Sequence, residues 1–171
     1  MKAKTAKESL SISTDLVLPS DTNALNTMFG GELLSRMDRV CCIAAQRHSG
    51  QISVTVSVNH VAFNKTVPLG GTVTIEAKVS RSFNSSMEVY ADVWVEERHS
   101  GEMTKVNEGI FTFVAVAKDG TRVKVPELIP ETNLEKERFD AALRRRQLSL
   151  VLSGKLKPIE ATELKALFDN I

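Results

Sequence analysis

The chain has 171 residues, 42% of them hydrophobic, enough for one domain with a substantial core. Its 22 basic and 21 acidic side chains leave a net charge of +1, so overall charge favours neither nucleic acid nor an acidic partner. No apolar run approaches the roughly 18–20 residues that span a bilayer, and the basic N-terminus lacks the apolar stretch of a secretory signal; a cytoplasmic protein is expected.

In chain order, residues 10–18 carry weak strand character, and a turn-rich stretch beginning at Pro19 runs to Gly30 and Gly31. Residues 30–48 read as an amphipathic helix. Leu34, Met37, Cys41, Ala44 and Ala45 recur at helical spacing and face a core, while Glu32, Arg36, Arg39 and Gln46 take the wetter side. Asp38 falls within the apolar stripe, where an unpaired carboxylate is costly, so it is either paired or functional.

Two glycines at a helix start admit close approach by a ligand or another backbone. The unpaired N–H groups of the first turn favour an anion or a polarised carbonyl oxygen there. Asp38 lies two turns past Gly31, roughly 10 Å along the axis, so one helix cannot bring its own carboxylate to a carbonyl held at its start. A second copy of the chain supplying half of the site removes the difficulty, and predicts a dimer. Cys41 and Cys42, the only cysteines, have neither disulfide nor metal-ligand spacing and read as small core-filling thiols suited to a reducing compartment. His48, at the helix end, reads as a cation complementing the C-terminal dipole.

Four strand-like segments follow. Residues 52–63 alternate Ile52, Val54, Val56 and Val58 with polar residues, then shift phase to Val61 and Phe63, which predicts a bulge near Asn59 and His60. Residues 72–80, 87–97 and 105–117 are separated by turns at Pro68–Gly71, Phe83–Ser86 and His99–Gly101. The last strand is apolar on both faces, which suits a central position or a subunit contact. A sheet wrapped around one long helix, an α+β layer, is the expected architecture.

Composition changes after Pro126. Residues 1–126 form the expected main domain and residues 127–171 a helical C-terminal extension, with a charged helix over 131–152 and a short one within 159–168. Leu134, Phe139, Leu143, Leu148, Val151 and Leu152 suggest that it docks on the core or a neighbour. Arg144, Arg145 and Arg146 read as a solvated face, since no interleaved aromatics support nucleic-acid stacking. His48, His60 and His99 are far apart and lack carboxylates at ligand spacing, so no metal site is expected. His60 is read as structural and His99 as a turn residue.

Leu18-Pro-Ser-Asp-Thr-Asn23, Phe29-Gly30-Gly31, Met37-Asp38, Val54-Thr-Val-Ser-Val58 with Phe63, Ser85-Ser86-Met87 and Phe111-Thr-Phe-Val-Ala-Val116, closing at Val125-Pro126, occur in one order and spacing. Over residues 10–126 this ordered set resembles the hotdog-fold acyl-CoA thioesterases, in particular the bacterial and brain-type acyl-CoA hydrolase branch. The resemblance implies hydrolysis of acyl-CoA to free acid and CoA, with no cofactor beyond the CoA of the substrate. It implies Asp38 as the catalytic carboxylate, the Gly31 N–H as a donor to the thioester carbonyl, and Asn23 and Thr27 as members of the catalytic set. It further implies a site between two subunits joined edge to edge, in a dimer or a trimer of dimers, with no membrane or nucleic-acid partner.

For CoA, the resemblance points to Arg81, Asn84, Ser85 and Ser86 before the fourth strand-like segment counted from residue 10, and to Lys118, Arg122 and Lys124 after the last. Five positions depart from the family pattern: Asn26 replaces a usual Gly, Thr27 stands where an Asn takes part in catalysis in two-domain relatives, Asn59 replaces a common acid, Thr66 a usual Pro, and Gly71 a frequent Asp. Met28, Phe29 and Leu33 are expected to close the acyl tunnel. Two alternatives remain at this level: a catalytically weak acyl-CoA binding or sensing protein, and a dehydratase using His60 as base.

Overall fold

A computed structural model describes residues 1–98 and 100–168; the turn reading of His99 lies outside the described residues. Five antiparallel strands form one sheet in the order β2-β4-β5-β6-β3: β2 (Ser11–Leu16), β3 (Ile52–Phe63), β4 (Thr72–Ser82), β5 (Ser86–Glu96) and β6 (Met103–Val116). The weakly periodic first segment is thus a full edge partner of β4. A small parallel pair, β1 (Lys4–Thr5) with β7 (Leu128–Ile129), ties the N-terminus to the segment after Pro126.

Helix α1 (Gly30–Ser49) lies against one face of the sheet. The alternating residues Ile75, Ala77 and Val79 of β4, Met87, Val89 and Ala91 of β5, and Phe111 and Phe113 of β6 are all buried there, which is the expected α+β hotdog arrangement. Gly109 lets the helix come close, since a Cβ on it would lie 2.5 Å from Met37 Cε. The helix is rotated slightly from the expected stripe: Leu33 and Val40 are fully buried with Met37, Cys41, Ala44 and Ala45, and Leu34 is only partly so.

His48 departs further from expectation. It is completely buried, with Nε2 2.9 Å from the Pro126 carbonyl oxygen, and burial lowers its pKa, so it is no cation. Lys4 takes that part, donating to the Arg47 and His48 carbonyls at 2.8 and 2.9 Å, and Gly50 closes the helix in a left-handed cap with φ 67°. Arg36, expected on the wet side, is held between Asp21 at 2.7 Å and Glu32 at 3.0 Å.

The extension is helical as expected: α2 (Asn133–Leu152) and α3 (Thr162–Lys165). Thr132 and Glu135 form a capping box that starts α2. The arginine run is not a solvated face. α2 lies on the opposite side of the sheet from α1, where strand residues are polar, and Arg145 pairs with buried Glu88 at 2.7 Å. Arg138 pairs with Asp92 at 2.9 Å and covers the Tyr90 ring. Ala142 and Phe139 supply the apolar contacts, whereas Leu134, Leu148 and Leu152 remain exposed. Among the described residues no helix is long and apolar enough to cross a membrane.

Candidate active site

The stretch before α1 is a tightly cross-bonded loop. Asp21 accepts from the Leu18 N–H at 2.8 Å and pairs with Arg36, and these two interactions, the backbone bond foremost, lower its pKa. Asn26 adopts φ 54°, the left-handed conformation for which Asn is a workable substitute for Gly. That turn lets Asn23 Oδ1 accept from the N–H groups of Leu25 and Thr27, at 2.9 and 3.3 Å, while its Nδ2 donates to Thr27 Oγ1 at 3.0 Å.

Asn23 and Thr27 line a cavity of about 240 Å³ together with Met28, Gly30, Leu33, Phe63 and Asn107. Two of the expected acyl-tunnel residues, Met28 and Leu33, are therefore on its wall; Phe29 is exposed instead. The two glycines behave differently. Gly30 packs under the Phe63 ring, whose nearest atom would be 3.3 Å from a Cβ, whereas Gly31 faces open space.

Asp38 is not on this cavity's wall. It sits half-buried at the margin of the apolar stripe, and its Oδ1 accepts a 2.7 Å hydrogen bond from Thr55 Oγ1 of β3. β3 is one of the two edge strands of the sheet, opposite β2, and Ile52, Val54, Val56 and Val58 are all exposed along it. One protomer thus presents two half-sites, the Asn23–Thr27 cavity with the helix start and the Asp38–Thr55 pair beside an unpaired apolar edge.

Two residues escaped the sequence reading. Thr55 looked like one more polar member of an alternating strand; the signal was that it faces the helix carrying Asp38. Asn107 is buried on β6, lines the cavity with Asn23, and has an Oδ1 without a hydrogen-bond partner among the described residues. A buried polar side chain in a strand otherwise rich in apolar residues was the available clue.

The residues expected at CoA are divided. Asn84, Ser85, Ser86 and Arg122 line one groove of about 480 Å³ on the α2 side of the sheet. Arg81 does not line it; its guanidinium stacks on Phe139 at 4.0 Å and donates to the Phe139 carbonyl, fastening α2. Lys118 borders a separate depression with Gln46 and Ile52, and Lys124 is exposed outside both. Two register shifts occur in β3 against β6, one at Val56 and one at the expected Asn59. His60 is exposed on that strand, and among the described residues no three His, Cys, Asp or Glu side chains gather as metal ligands would.

A sequence profile of the thioesterase superfamily matches residues 25–102. An uncharacterised acyl-CoA thioester hydrolase of Bacillus subtilis is 38% identical over 139 residues, 81% of either chain. Mouse acyl-coenzyme A thioesterase 11 is 38% identical over 146 residues, 85% of this chain but 24% of that protein, so the chain spans about a quarter of that relative. The acyl-CoA hydrolase of Staphylococcus aureus, solved with butyryl-CoA, CoA and CoA disulfide, superposes with a TM-score of 0.83 at 32% identity, covering 90% of this chain and 94% of that one. Its alanine mutants at one Asp, one Asn and one Thr are also solved, with TM-scores of 0.85, 0.82 and 0.85. An apo-hexameric acyl-CoA thioesterase gives 0.83 at 34% identity, covering 86% of this chain and 94% of that one. With this sheet wrapped about one helix and these relatives over most of its length, the chain belongs to the hotdog thioesterase superfamily, among the acyl-CoA thioester hydrolases.

Proposed function

We propose that this chain hydrolyses acyl-CoA to a carboxylic acid and CoA at a site shared by two protomers. Asp38 and Thr55 come from one, and Asn23, Thr27 and the Gly31 N–H from the other. The observation that carries the reading is the separation of these two half-sites within one protomer, with Asp38 held by Thr55 beside an open apolar strand edge. In the S. aureus hydrolase the mutated Asn precedes the mutated Asp by 15 residues and the mutated Thr follows it by 17; Asn23, Asp38 and Thr55 keep both spacings. This match favours Asn23, rather than the Thr27 position, as the catalytic asparagine, so the departure at Thr27 loses its weight.

The chemistry needs little apparatus. Asp38 activates a water, or attacks the carbonyl carbon itself; the carbonyl oxygen, as it gains charge, is held by the Gly31 N–H and the helix dipole. The C–S bond then breaks, and CoA leaves as a thiolate that takes up a proton. On the water route this releases the acid directly; on the nucleophilic route water next hydrolyses the acyl–Asp38 anhydride, freeing the acid and restoring the carboxylate. A thiolate is a good leaving group, so the proposed route calls for no metal or cofactor. Edge-to-edge pairing through β3 would make the dimer, and the hexameric neighbours favour a trimer of such dimers. Two free thiols suit a reducing compartment, so the cytoplasm is the proposed location.

The test is thiol release from a panel of acyl-CoAs. Asp38→Asn should lose at least about a hundredfold in kcat and Asn23→Ala about tenfold or more. Co-refolding the two variants should regain up to about a quarter of wild-type activity, because each mixed dimer carries one site with both groups intact. No recovery in verified mixed dimers would overturn the shared site; full turnover by Asp38→Asn would remove Asp38 from the chemistry.

A further inference from the structure

The groove on the α2 side of the sheet has the extension as one wall: Arg146 and Lys155 line it together with Ser86 and Arg122. Two other arginines of α2 are matched by carboxylates, Arg138 by Asp92 and Arg145 by Glu88. Arg146 is not. It is half-buried, stacks on the Phe83 ring at 4.1 Å, donates one N–H to Ser86 Oγ at 3.0 Å, and meets no carboxylate among the described residues. Burial accordingly lowers its pKa, with no counter-charge opposing the shift. The acid on the groove wall, Glu88, is already neutralised by two bonds from Arg145 at 2.9 and 2.7 Å.

A guanidinium partly withdrawn from water without a counter-ion is electrostatically incomplete, and its planar fork fits phosphate oxygens. The opposite wall reaches β3 at Val56 and Ser57, directly after Thr55, whose hydroxyl holds Asp38. The first register shift falls at Val56, where the strand bends at its open edge. With β3 paired in the proposed dimer, a thioester arm would reach the carboxylate past this bulge, between the two protomers.

We propose that α2 completes the CoA site already expected at the Asn84–Ser86 turn and Arg122, with Arg146 as the central donor to the nucleotide phosphates and Lys155 beside it. The extension is then part of the substrate site rather than an appendage. The proposal rests on the acyl-CoA reading above and adds α2 to it.

The experiment compares an acyl-CoA with the same acyl group on pantetheine, which lacks the nucleotide. Arg146→Gln should raise KM for acyl-CoA about tenfold and leave kcat near wild type. It should leave kcat/KM for acyl-pantetheine within about twofold. Lys155→Ala, at an exposed position, should move KM the same way by a few-fold and keeps the test informative if Arg146→Gln folds poorly. Calorimetric titration with CoA should show the matching loss of affinity in Arg146→Gln. An equal effect on both substrates would make Arg146 a fastener of the helix and overturn the proposal, as would no effect on CoA binding. Failure of the wild type to cleave either thioester would defeat the hydrolase reading, and the CoA titration would still decide this one.

Discussion

His48 makes the stability of the fold depend on pH. It is buried, its pKa lies below the usual 6.5, and its Nε2–H donates to the Pro126 carbonyl that follows the last long strand. The unfolded chain takes up a proton at this residue below about pH 6.5 while the folded chain resists it. Stability from the neutral imidazole is therefore complete above about 6.5 and is lost as the pH falls toward the lowered folded value. His48→Gln can still donate to Pro126 but cannot titrate. It should cost about 1 kcal/mol at pH 7 and flatten the decline in Tm between pH 7 and 5, measured by thermal melts. A variant as pH-sensitive as wild type would exonerate His48. The residue was legible as a helix terminator but not as a neutral one, because its partner lies across the fold at Pro126. Asp38 was legible for the opposite reason: a carboxylate in an apolar stripe is conspicuous locally. Thr55, its hydrogen-bond donor, looked ordinary until the strand was placed beside the helix.

At the scale of elements, α1 and the strands β4 to β6 could be read because each buries apolar residues, and β3 alternates as clearly while leaving its apolar row exposed. α2 was legible as a helix but its docked face was not, since it docks largely through polar groups onto the polar face of the sheet. Its arginines meet Asp92, Glu88 and Ser86, and Arg81 reaches back to hold Phe139. A helix whose buried face is charged looks solvated in sequence. The Arg145–Glu88 pair tests how tightly the element is held, because Glu88 is buried and also accepts from Ser80 Oγ at 2.7 Å. Arg145→Ala leaves that carboxylate without a cation and should destabilise by about 3 kcal/mol, with faster hydrogen exchange along α2. Adding Glu88→Gln should restore part of the loss by removing the stranded charge. If the double variant is no more stable than the single, the ion pair is not what fastens the helix.

At the scale of the whole molecule, the protomer is unfinished at β3. Its apolar residues Ile52, Val54, Val56 and Val58 are exposed, and one edge of its ladder has no partner, a combination that isolated proteins usually avoid. The alternation along residues 52–58 was visible in the sequence, but whether it faced a core or another protomer depended on where α1 lay. Pairing two such edges would cover the apolar row and bring Asp38 of one protomer toward the glycine pair of the other. Val54→Lys places a charge on this edge at a position away from the groove and the Asn23 cavity. It should leave the fold intact by circular dichroism and shift the protein to monomer in sedimentation velocity. Because each half-site would lose its complement, thiol release should fall at least about a hundredfold at low protein concentration. It should recover as concentration drives the weakened dimer together. A folded Val54→Lys monomer with wild-type turnover would show that one protomer is sufficient.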